Sequence, residues 1–242
     1  MPSSNTISHE IADTLRDEIL RQRYQSGDRF PSERDLAARF DASRGAVREG
    51  LSQLEQLGLI RIQPGGARVQ SVNVASLAVL GPLLALDDHP DPRLVDQFLQ
   101  TFGVLAALTA KSAVNSASQE QLIQLKKLVV GLAEQANDLK AMQPHWRELL
   151  EAMSAIADNL VVRLIGNDLK AQFVGQLMKL GIRPYLSKGS RDRLITTLMV
   201  SLNEQDGEIA GQAMQDHFEE FREAVGEAIR FRVDKPSNRA AN

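Results

Sequence analysis

Cysteine is absent from this 242-residue chain. Its absence excludes disulfides, thiolate metal sites and thiol catalysis. Long apolar stretches are also missing, because no run approaches the roughly 18 residues that a membrane-spanning helix needs. The polar start at residues 1–5 does not resemble a secretory signal. We therefore expect no membrane partner, while the absence of cysteine is compatible with any compartment.

Signatures of catalysis are scarce as well. The chain has four histidines but lacks a G-x-S-x-G motif, a phosphate-binding glycine loop and an H-E-x-x-H motif. The acidic pair beside one histidine, at Asp87 to His89, is followed by Pro90 and Pro92, which mark a loop. We therefore expect neither catalytic residues nor a cofactor, and the chain is not predicted to be an enzyme.

Positive charge shows no net excess. The chain carries −3 overall, and residues 1–70 hold ten arginines and no lysine against ten acidic residues. Bulk charge therefore does not favour nucleic acid binding, and any such indication depends on where the arginines stand. Arginine suits that role because its planar guanidinium pairs with guanine or phosphate at two points, which a lysine does not do.

Two short capped helices are predicted between Ser32 and Gly58. Ser32 and Asp35 have the S-x-x-D form of a capping box, and the polar pair after Phe40 indicates a turn. A second cap at Ser43 precedes an apolar face with helical spacing. That face consists of Val47, Leu51, Leu54 and Leu57. Two capped helices joined by a tight turn form a helix-turn-helix.

A short β-hairpin is predicted directly after the second helix. Residues 59–63 and 67–70 alternate between apolar and polar side chains, and Pro64-Gly65-Gly66 supplies turn residues between them. A helix-turn-helix followed by a hairpin is a winged helix. An amphipathic helix over about residues 6–23 is expected to pack behind it.

The rest of the chain is predicted to be helical. Apolar residues recur at helical spacing in six or seven segments, and no stretch alternates as a strand would. The predicted domains are a winged helix over 1–70, a linker over 71–76, an all-α antiparallel helical bundle over 77–232 and a disordered tail over 233–242. The fold class is therefore mainly α, with a small β-hairpin wing.

The periodicity also predicts details of the bundle. A break between helices is expected at 142–145, where proline and polar residues interrupt the apolar pattern. The first long helix is expected to turn one apolar face to the core. That face consists of Leu94, Phe98, Phe102, Leu105 and Leu108.

Residues 30–69 resemble the GntR family of bacterial transcription regulators. The likeness lies in the Pro-Ser-Glu-Arg entry, the Ser-Arg-x-x-Val-Arg-Glu-x-Leu helix and the Leu-Glu-x-x-Gly-Leu-Ile exit into the wing. Beyond residue 75, the helix order, Asp158-Asn159 and the spacing from Asp206 to His217 resemble the effector domain of the FadR branch. The resemblance implies a cytoplasmic, homodimeric regulator that binds a short inverted repeat in double-stranded DNA and responds to a small-molecule effector.

The second helix of the motif is expected to contact DNA. Arg44 and Arg48 stand one turn apart at its N-terminal end, which enters the major groove in a helix-turn-helix. Gly45 between them lets the backbone approach DNA. The competing interpretation is a pair of solvated surface arginines beside Glu49, which suits an isolated helix better than this motif.

The predicted DNA-binding set extends beyond this helix. Arg34 matches an arginine that contacts DNA in the family, although Glu33 and Asp35 are available for a salt bridge. The wing glycines and their arginine are candidates for minor-groove or phosphate contact, although a plain hairpin turn would look the same. The complete set is Arg34, Ser43, Arg44, Gly45, Arg48, Gly65, Gly66 and Arg68.

A metal site is not expected in the helical domain. The resemblance implies a divalent ion in many members of the FadR branch, held by one Asp and three His. The positions that match those ligands are Trp146, Leu150, Ile195 and His217. Only the last is a ligand type, and a single imidazole does not hold an ion.

The same positions are predicted to surround the effector. Phe102 stands where the fatty-acyl-sensing members of the branch carry an arginine, so the matched region is apolar, with His217 as its polar group. Two alternatives follow. Either the region admits a largely hydrophobic ligand such as an acyl chain, or its bulky side chains fill it and the domain is a packed dimerisation core. Apolar pockets with one or two polar groups are the usual small-molecule sites, which favours the first.

Overall fold

The computed structural model describes residues 7–87, 91–134, 139–179 and 186–233, without the side chains of 139–143, 172–179 and 231–233. Contacts divide the chain into two compact units, Met1–Pro90 and Asp91–Asn242. No helix within the described ranges has the length and hydropathy required to cross a membrane. The predicted tail at 233–242 lies outside the described residues except for its first position.

The first unit consists mainly of helices and one hairpin. Its elements are α1 (Ile7–Leu20), α2 (Glu33–Arg39), α3 (Arg44–Gln56), β1 (Ile60–Gln63), β2 (Gly66–Val69) and the short α4 (Leu80–Leu84). The two strands pair antiparallel, with Ile60 opposite Val69 and Gln63 opposite Gly66. This arrangement confirms the predicted winged helix-turn-helix.

Helices α1 and α3 form the core of this unit. Ile11, Leu15 and Ile19 recur every fourth residue on α1 and are buried, as the periodicity predicts. The helices approach closely at Gly50 of α3, where an added Cβ would lie 3.0 Å from the Ser8 carbonyl oxygen. Burial of this apolar face stabilises a helix pair too short to persist alone.

An ion pair fixes α2 against α1. The Arg39 guanidinium donates from Nη1 to Glu18 Oε2 at 2.9 Å and from Nη2 to Oε1 at 2.6 Å. Arg23 adds a third hydrogen bond to the same carboxylate, at 3.1 Å. Chiefly because of the bond from Arg39, the pKa of Glu18 is lowered. A buried carboxylate paired at two points holds the first helix of the motif in one orientation.

The wing turn is tighter than the sequence indicates. We predicted Pro64-Gly65-Gly66 as the turn, but Gly66 belongs to β2 and pairs with Gln63, so only two residues connect the strands. Proline fixes φ near −65° at the first of these, and Gly65 has φ +97° at the second, a combination typical of a type II turn.

The predicted domain boundary at residues 71–76 differs from the observed division. A 3-10 turn spans Val72–Val74, and the following segment packs on the winged helix because Val79 is 5% exposed within its core. Arg21 of α1 also pairs with Asp87, at 2.8 Å, and donates to the Leu86 carbonyl oxygen. Residues 77–87 therefore belong to the first unit.

The second unit is an antiparallel helical bundle, as predicted. Its helices are α5 (Pro92–Ser116), α6 (Gln119–Glu134), α7 (Leu139–Ala157), α8 (Leu160–Lys179), α9 (Lys188–Glu204) and α10 (Gly207–Val233). Leucines of α6 and α9, Met153 and Met214 are buried in one shared core. Helix α7 ends at Ala157, and Asn159 Oδ1 caps α8 by accepting from the Val162 amide at 3.1 Å.

The buried face of α5 was predicted wrongly in part. Leu108 is 43% exposed and Phe102 and Leu105 are half-buried, whereas the small residues Gly103 and Ala110 are buried. The reason is close packing against α10, where an added Cβ at Gly103 would lie 2.8 Å from Phe218 Cβ. Helices in such close contact need small residues at the interface, so the larger side chains lie outside it.

The predicted break at 142–145 was also wrong. Helix α7 begins at Leu139 and continues through Pro144, which stands inside it. The proline is the sixth helical residue, so the backbone bond it removes lies near the start of the helix. Few bonds are lost there, and the buried Leu149 and Met153 hold the rest of the helix against the core.

Candidate nucleic-acid interface and effector region

Helix α3 turns one face to the core and the other to solvent. Ser43 Oγ accepts a hydrogen bond from the Ala46 amide, at 3.2 Å, and thereby fixes the first turn. The predicted apolar residues of the helix are buried as far as Leu54. The exposed residues at its start are Ser43, Arg44, Gly45 and Arg48. The helix therefore presents the predicted DNA-contacting groups together.

Arg48 is oriented by Glu33 of α2. Its Nε donates to Oε1 at 3.3 Å and its Nη2 donates to Oε2 at 3.1 Å. Mainly because of this hydrogen bonding, the pKa of Glu33 is lowered. Arg48 is still 72% exposed, so the guanidinium is held in place at the surface and is not covered. Neither member of this pair was predicted to meet the other, since Glu49 was the acid considered beside Arg48.

Arg44 and Gly45 leave the adjacent surface open. Within the described ranges no ion pair involves Arg44, although its charge also contributes to lowering the pKa of Glu33. An added Cβ at Gly45 would meet only Ser43 Oγ, at 3.7 Å. The glycine is therefore not required by packing inside the protein, and a partner that approaches the helix from outside would explain it better.

Arg34 projects from the start of α2. It is 80% exposed, and its Nε lies 3.7 Å from Asp35 Oδ1, too far for a hydrogen bond. Asp35 is engaged elsewhere, since Ser32 Oγ donates to its Oδ2 at 2.6 Å and accepts from its amide at 3.2 Å. The Ser32 hydroxyl is the main cause of the lowered pKa of Asp35. The predicted capping box is thus present, and it leaves Arg34 open to solvent.

The wing aligns three arginines. Arg61 of β1 lies opposite Arg68 of β2, and Arg68 in turn forms a β-bridge with Arg29. Their hydrogen bonds go to backbone: Arg29 Nη2 donates to Gly65 O at 3.0 Å, and Arg68 Nη1 donates to Gly27 O at 2.9 Å. Like charges opposite each other destabilise a sheet, so this row is suited to an anionic partner.

Sequence reasoning predicted only one arginine of this row. Arg68 was chosen because it follows the wing glycines, Gly65 in the turn and Gly66 at the start of β2, whose φ values of +97° and +122° favour glycine. Arg29 and Arg61 were missed. The alternation of the two strands indicates that Arg61 and Arg68 share a face, but no local pattern indicates that Arg29 joins them.

Three of the five predicted effector residues, Phe102, Trp146 and His217, belong to one aromatic cluster. Ring centroids are 5.3 Å apart for Phe102 and Phe218, 5.4 Å for Phe218 and His217, and 5.0 Å for His217 and Trp146. Leu150, one turn after Trp146, and Ile195 pack against the same core. All except His217 are half-buried. The structure therefore places three of the matched positions in one ring cluster and the other two against the bundle core.

His217 is the buried polar group of this cluster. It is 9% exposed, and its Nδ1 has no hydrogen-bond partner among the described residues. Burial lowers the pKa of its imidazole to about 4, and the nearby Glu220 carboxylate opposes that shift only in part. The ring is therefore neutral at pH 7 and can accept or donate one hydrogen bond at each nitrogen according to its tautomer.

The donor set at these positions does not fit a divalent ion. Trp146, Leu150 and Ile195 offer no ligand atom, and the Trp146 ring packs against the one imidazole. In the described part of the chain, no group of three or more His, Cys, Asp or Glu side chains is placed to hold a metal. We therefore assign no step to a metal ion.

Comparison with known proteins agrees with this geometry. Residues 7–69 match the family of bacterial regulatory proteins described as gntR. An HTH-type transcriptional regulator of Mycobacterium tuberculosis is 38% identical over 68 residues, covering 28% of each chain. The fatty acid metabolism regulator protein of Haemophilus influenzae is 26% identical over 176 residues, covering 72% of this chain and 70% of its own.

A solved structure shares the fold of both units. Lar, described as controlling expression of the Listeria monocytogenes agr system, is 17% identical with a TM-score of 0.51, over 91% of this chain and 96% of its own. At that identity the likeness concerns the fold alone. The capped recognition helix, the hairpin wing and the family match cover the same stretch. Residues 7–69 of this chain are therefore a helix-turn-helix DNA-binding domain of the GntR family.

Proposed function

We propose that this chain is a cytoplasmic transcription regulator that binds an inverted repeat in DNA as a homodimer. The observation that carries this proposal is the start of α3, where a serine cap presents Arg44, Gly45 and Arg48 on an exposed face. An arginine beside a helical turn that contains glycine is suited to bidentate contact with guanine in the major groove, because no bulky side chain keeps the helix away. Arg34 and the row of wing arginines would add phosphate contacts on either side.

Arginine substitution tests this interface. On an operator selected from random DNA with the purified protein, Arg44→Ala or Arg48→Ala should cost about 1–3 kcal/mol if the side chain reads a base. Loss of a phosphate contact would instead weaken binding to every sequence alike and flatten the salt dependence. Arg193→Ala, in the second unit, is the control. Wild-type affinity in both α3 variants would remove the assignment.

A dimer would explain an exposed apolar surface on the second unit. Leu160, Val161 and Leu164 of α8 are 63%, 66% and 58% exposed, and Val104 of α5 is 57% exposed. Clusters of exposed aliphatic side chains are typical of protein interfaces. A second copy of the chain is the partner that an inverted repeat requires. Sedimentation analysis of Val161→Glu/Leu164→Glu should show a monomer, and an intact dimer would place the interface elsewhere.

We propose that the second unit binds a largely apolar effector such as an acyl chain. The half-buried aromatic and aliphatic side chains around His217 support this, as does similarity to a regulator of fatty acid metabolism over 176 residues. A sensor needs a ligand that prefers one conformation. Acyl compounds should therefore raise the melting temperature and change operator affinity in one titration.

The ring contacts also favour a second candidate, a constitutive dimer whose helical unit is a packed core. Phe102 and His217 both contact Phe218, at centroid distances of 5.3 and 5.4 Å, and Trp146 contacts His217 directly, at 5.0 Å. In that case fatty acids and acyl-coenzyme A thioesters should change neither stability nor operator affinity. Leu150→Ala would then only destabilise the protein.

A further inference from the structure

Glu33 is an acidic residue that contacts the recognition helix from the start of α2. It directly follows the Ser32 cap, and its carboxylate accepts from Arg48 Nε at 3.3 Å and from Nη2 at 3.1 Å. Both side chains are accessible, at 39% for Glu33 and 72% for Arg48. An ion pair as exposed as this contributes little to stability. The helix dipole favours an acid in the first turn of α2, but it does not require the carboxylate to bind α3.

This contact leaves one defined edge of the Arg48 guanidinium free. Arginine holds five N–H donors in a rigid planar fork. Glu33 occupies the side edge, formed by Nε and one hydrogen of Nη2, and within the described ranges Arg48 makes no other hydrogen bond. The end of the fork, formed by Nη1 and the second hydrogen of Nη2, therefore presents two parallel N–H groups. That arrangement matches O6 and N7 of guanine in the major groove.

The charge of the pair favours a base over a phosphate as its target. An arginine attracts phosphate and displaces counterions through its net charge. The Glu33 carboxylate compensates the charge of Arg48 and would repel a phosphate placed beside it. Arg44 differs, because no ion pair involves it within the described ranges, although after Arg48 its charge contributes to lowering the pKa of Glu33. The two arginines of the recognition helix are therefore suited to different contacts.

We infer that Glu33 is a positioning residue that directs the end of the Arg48 guanidinium toward a guanine of the operator and so determines specificity at that base pair. The inference rests on the proposed contact of α3 with DNA and gives a role to an acid outside the predicted DNA-binding set. Orienting the side chain before binding reduces the rotamer entropy that it would otherwise lose on DNA.

Removal of the acid should change specific and general binding in opposite ways. Glu33→Ala removes a negative charge near DNA, so affinity for random-sequence DNA should rise. Because Arg48 is no longer oriented, the ratio of operator affinity to random-sequence affinity should fall about tenfold. Glu49→Ala is the matched control, since Glu49 is an exposed acid beside Arg48 on α3 and forms no ion pair within the described ranges. It should raise both affinities alike and preserve the ratio.

Substitution of each base pair in a selected operator locates the guanine. It is the position at which Arg48→Ala no longer discriminates between bases. Replacement of this base pair should cost the wild type and Glu49→Ala about tenfold in affinity, and Glu33→Ala about threefold or less. Melting temperatures above the temperature of the binding assay establish that the compared variants are folded.

A double-mutant cycle separates positioning from direct base contact. A carboxylate can itself accept a hydrogen bond from the amino group of cytosine. In the Arg48→Ala background, Glu33→Ala should leave the ratio of operator to random-sequence affinity unchanged, because no guanidinium remains to be oriented. A further loss of specificity in that background would show that Glu33 contacts a base directly, and it would overturn the positioning role.

Other outcomes distinguish this inference from the proposed interface. Equal affinity ratios and equal base-pair profiles for Glu33→Ala and Glu49→Ala would overturn the positioning role and leave Arg48 at the interface. An Arg48→Ala variant that binds every sequence more weakly by the same factor would also overturn it, because Arg48 would then contact phosphate. Wild-type operator affinity in both Arg44→Ala and Arg48→Ala would instead remove the interface itself.

Discussion

The stability of the protein does not explain the glycine at position 45 of α3, whereas close contact with DNA would explain it. Gly45 has open space where a Cβ would be added, and its backbone is not among the positive-φ glycines. Glycine within a helix costs about 1 kcal/mol relative to alanine. Inside the protein, alanine would therefore be the more stable choice, and the glycine is best explained by close approach of a DNA backbone or base edge.

Gly45→Ala should stabilise the protein and weaken DNA binding. We expect about 1 kcal/mol more stability in urea denaturation and a loss of operator affinity of tenfold or more. The matched control is Gly166→Ala in α8, where an added Cβ also meets nothing within 4 Å. The control should gain similar stability at unchanged affinity. Full operator binding by Gly45→Ala would show that α3 does not approach DNA at this turn.

His217 should make the second unit sensitive to acid. Its pKa is about 4 in the folded protein, whereas the unfolded chain titrates near 6.5. The folded state therefore favours the neutral ring, and the stability associated with it is present above pH 6.5 and lost as the pH falls from 6.5 to 4. At pH 5 the loss amounts to about 2 kcal/mol.

His217→Gln, which does not titrate, isolates this effect. Melting temperatures of wild type and variant are compared at pH 7.5 and pH 5, since Glu18 and other acids titrate alike in both proteins. The wild type should lose more stability than the variant over this interval. Parallel losses would mean that the folded protein already accommodates a protonated His217, with the Glu220 carboxylate as the nearest charge to do so.

At the scale of elements, local signals decided which helices were predictable. Helix α3 has a serine cap, a regular apolar face and Gly58 with φ +73° at its end, and each signal was readable in the sequence. The buried face of α5 was not predictable from its own sequence, because Gly103 and the small residues near it are buried against α10, which is far away in the chain. Large apolar residues dominate the apolar pattern of a helical sequence, whereas small residues allow the closest approach of two helices.

Residue pairs that join different elements were also not predictable from the sequence. Arg48 with Glu33, Arg39 with Glu18 and Arg29 with Arg68 all join residues that no helical or strand period relates. The effector positions came from the resemblance; three of them share a ring cluster, and their role stays a prediction.

The contact between α5 and α10 should tolerate no added carbon at Gly207. A Cβ there would clash with the Lys111 carbonyl oxygen and with Asn115, whose Oδ1 accepts from the Gly207 amide at 3.0 Å. Gly207→Ala should therefore cost about 1–3 kcal/mol, as overpacking does. Gly226→Ala on the same helix meets only Arg230 Nη2, at 3.8 Å, and should be neutral or stabilising. Equal melting temperatures would contradict this account.

At the scale of the whole molecule, we expect stability and operator binding to be independent of divalent metal. The positions that match the family's ligands carry Trp146, Leu150 and Ile195, which donate no ligand atom. Treatment with EDTA followed by gel filtration should leave both the melting temperature and operator affinity unchanged. A stoichiometric ion found by elemental analysis, lost with a drop in either quantity, would show that other residues bind it.

The packing of Val79 on the winged helix bears on how the two units could be exchanged between regulators. A chimera cut just after the wing, near residue 70, would lose Val79, which is 5% exposed within the core of the winged helix. It would also lose Asp87, the partner of Arg21. A junction placed after residue 87 would transfer the winged helix with its own core intact.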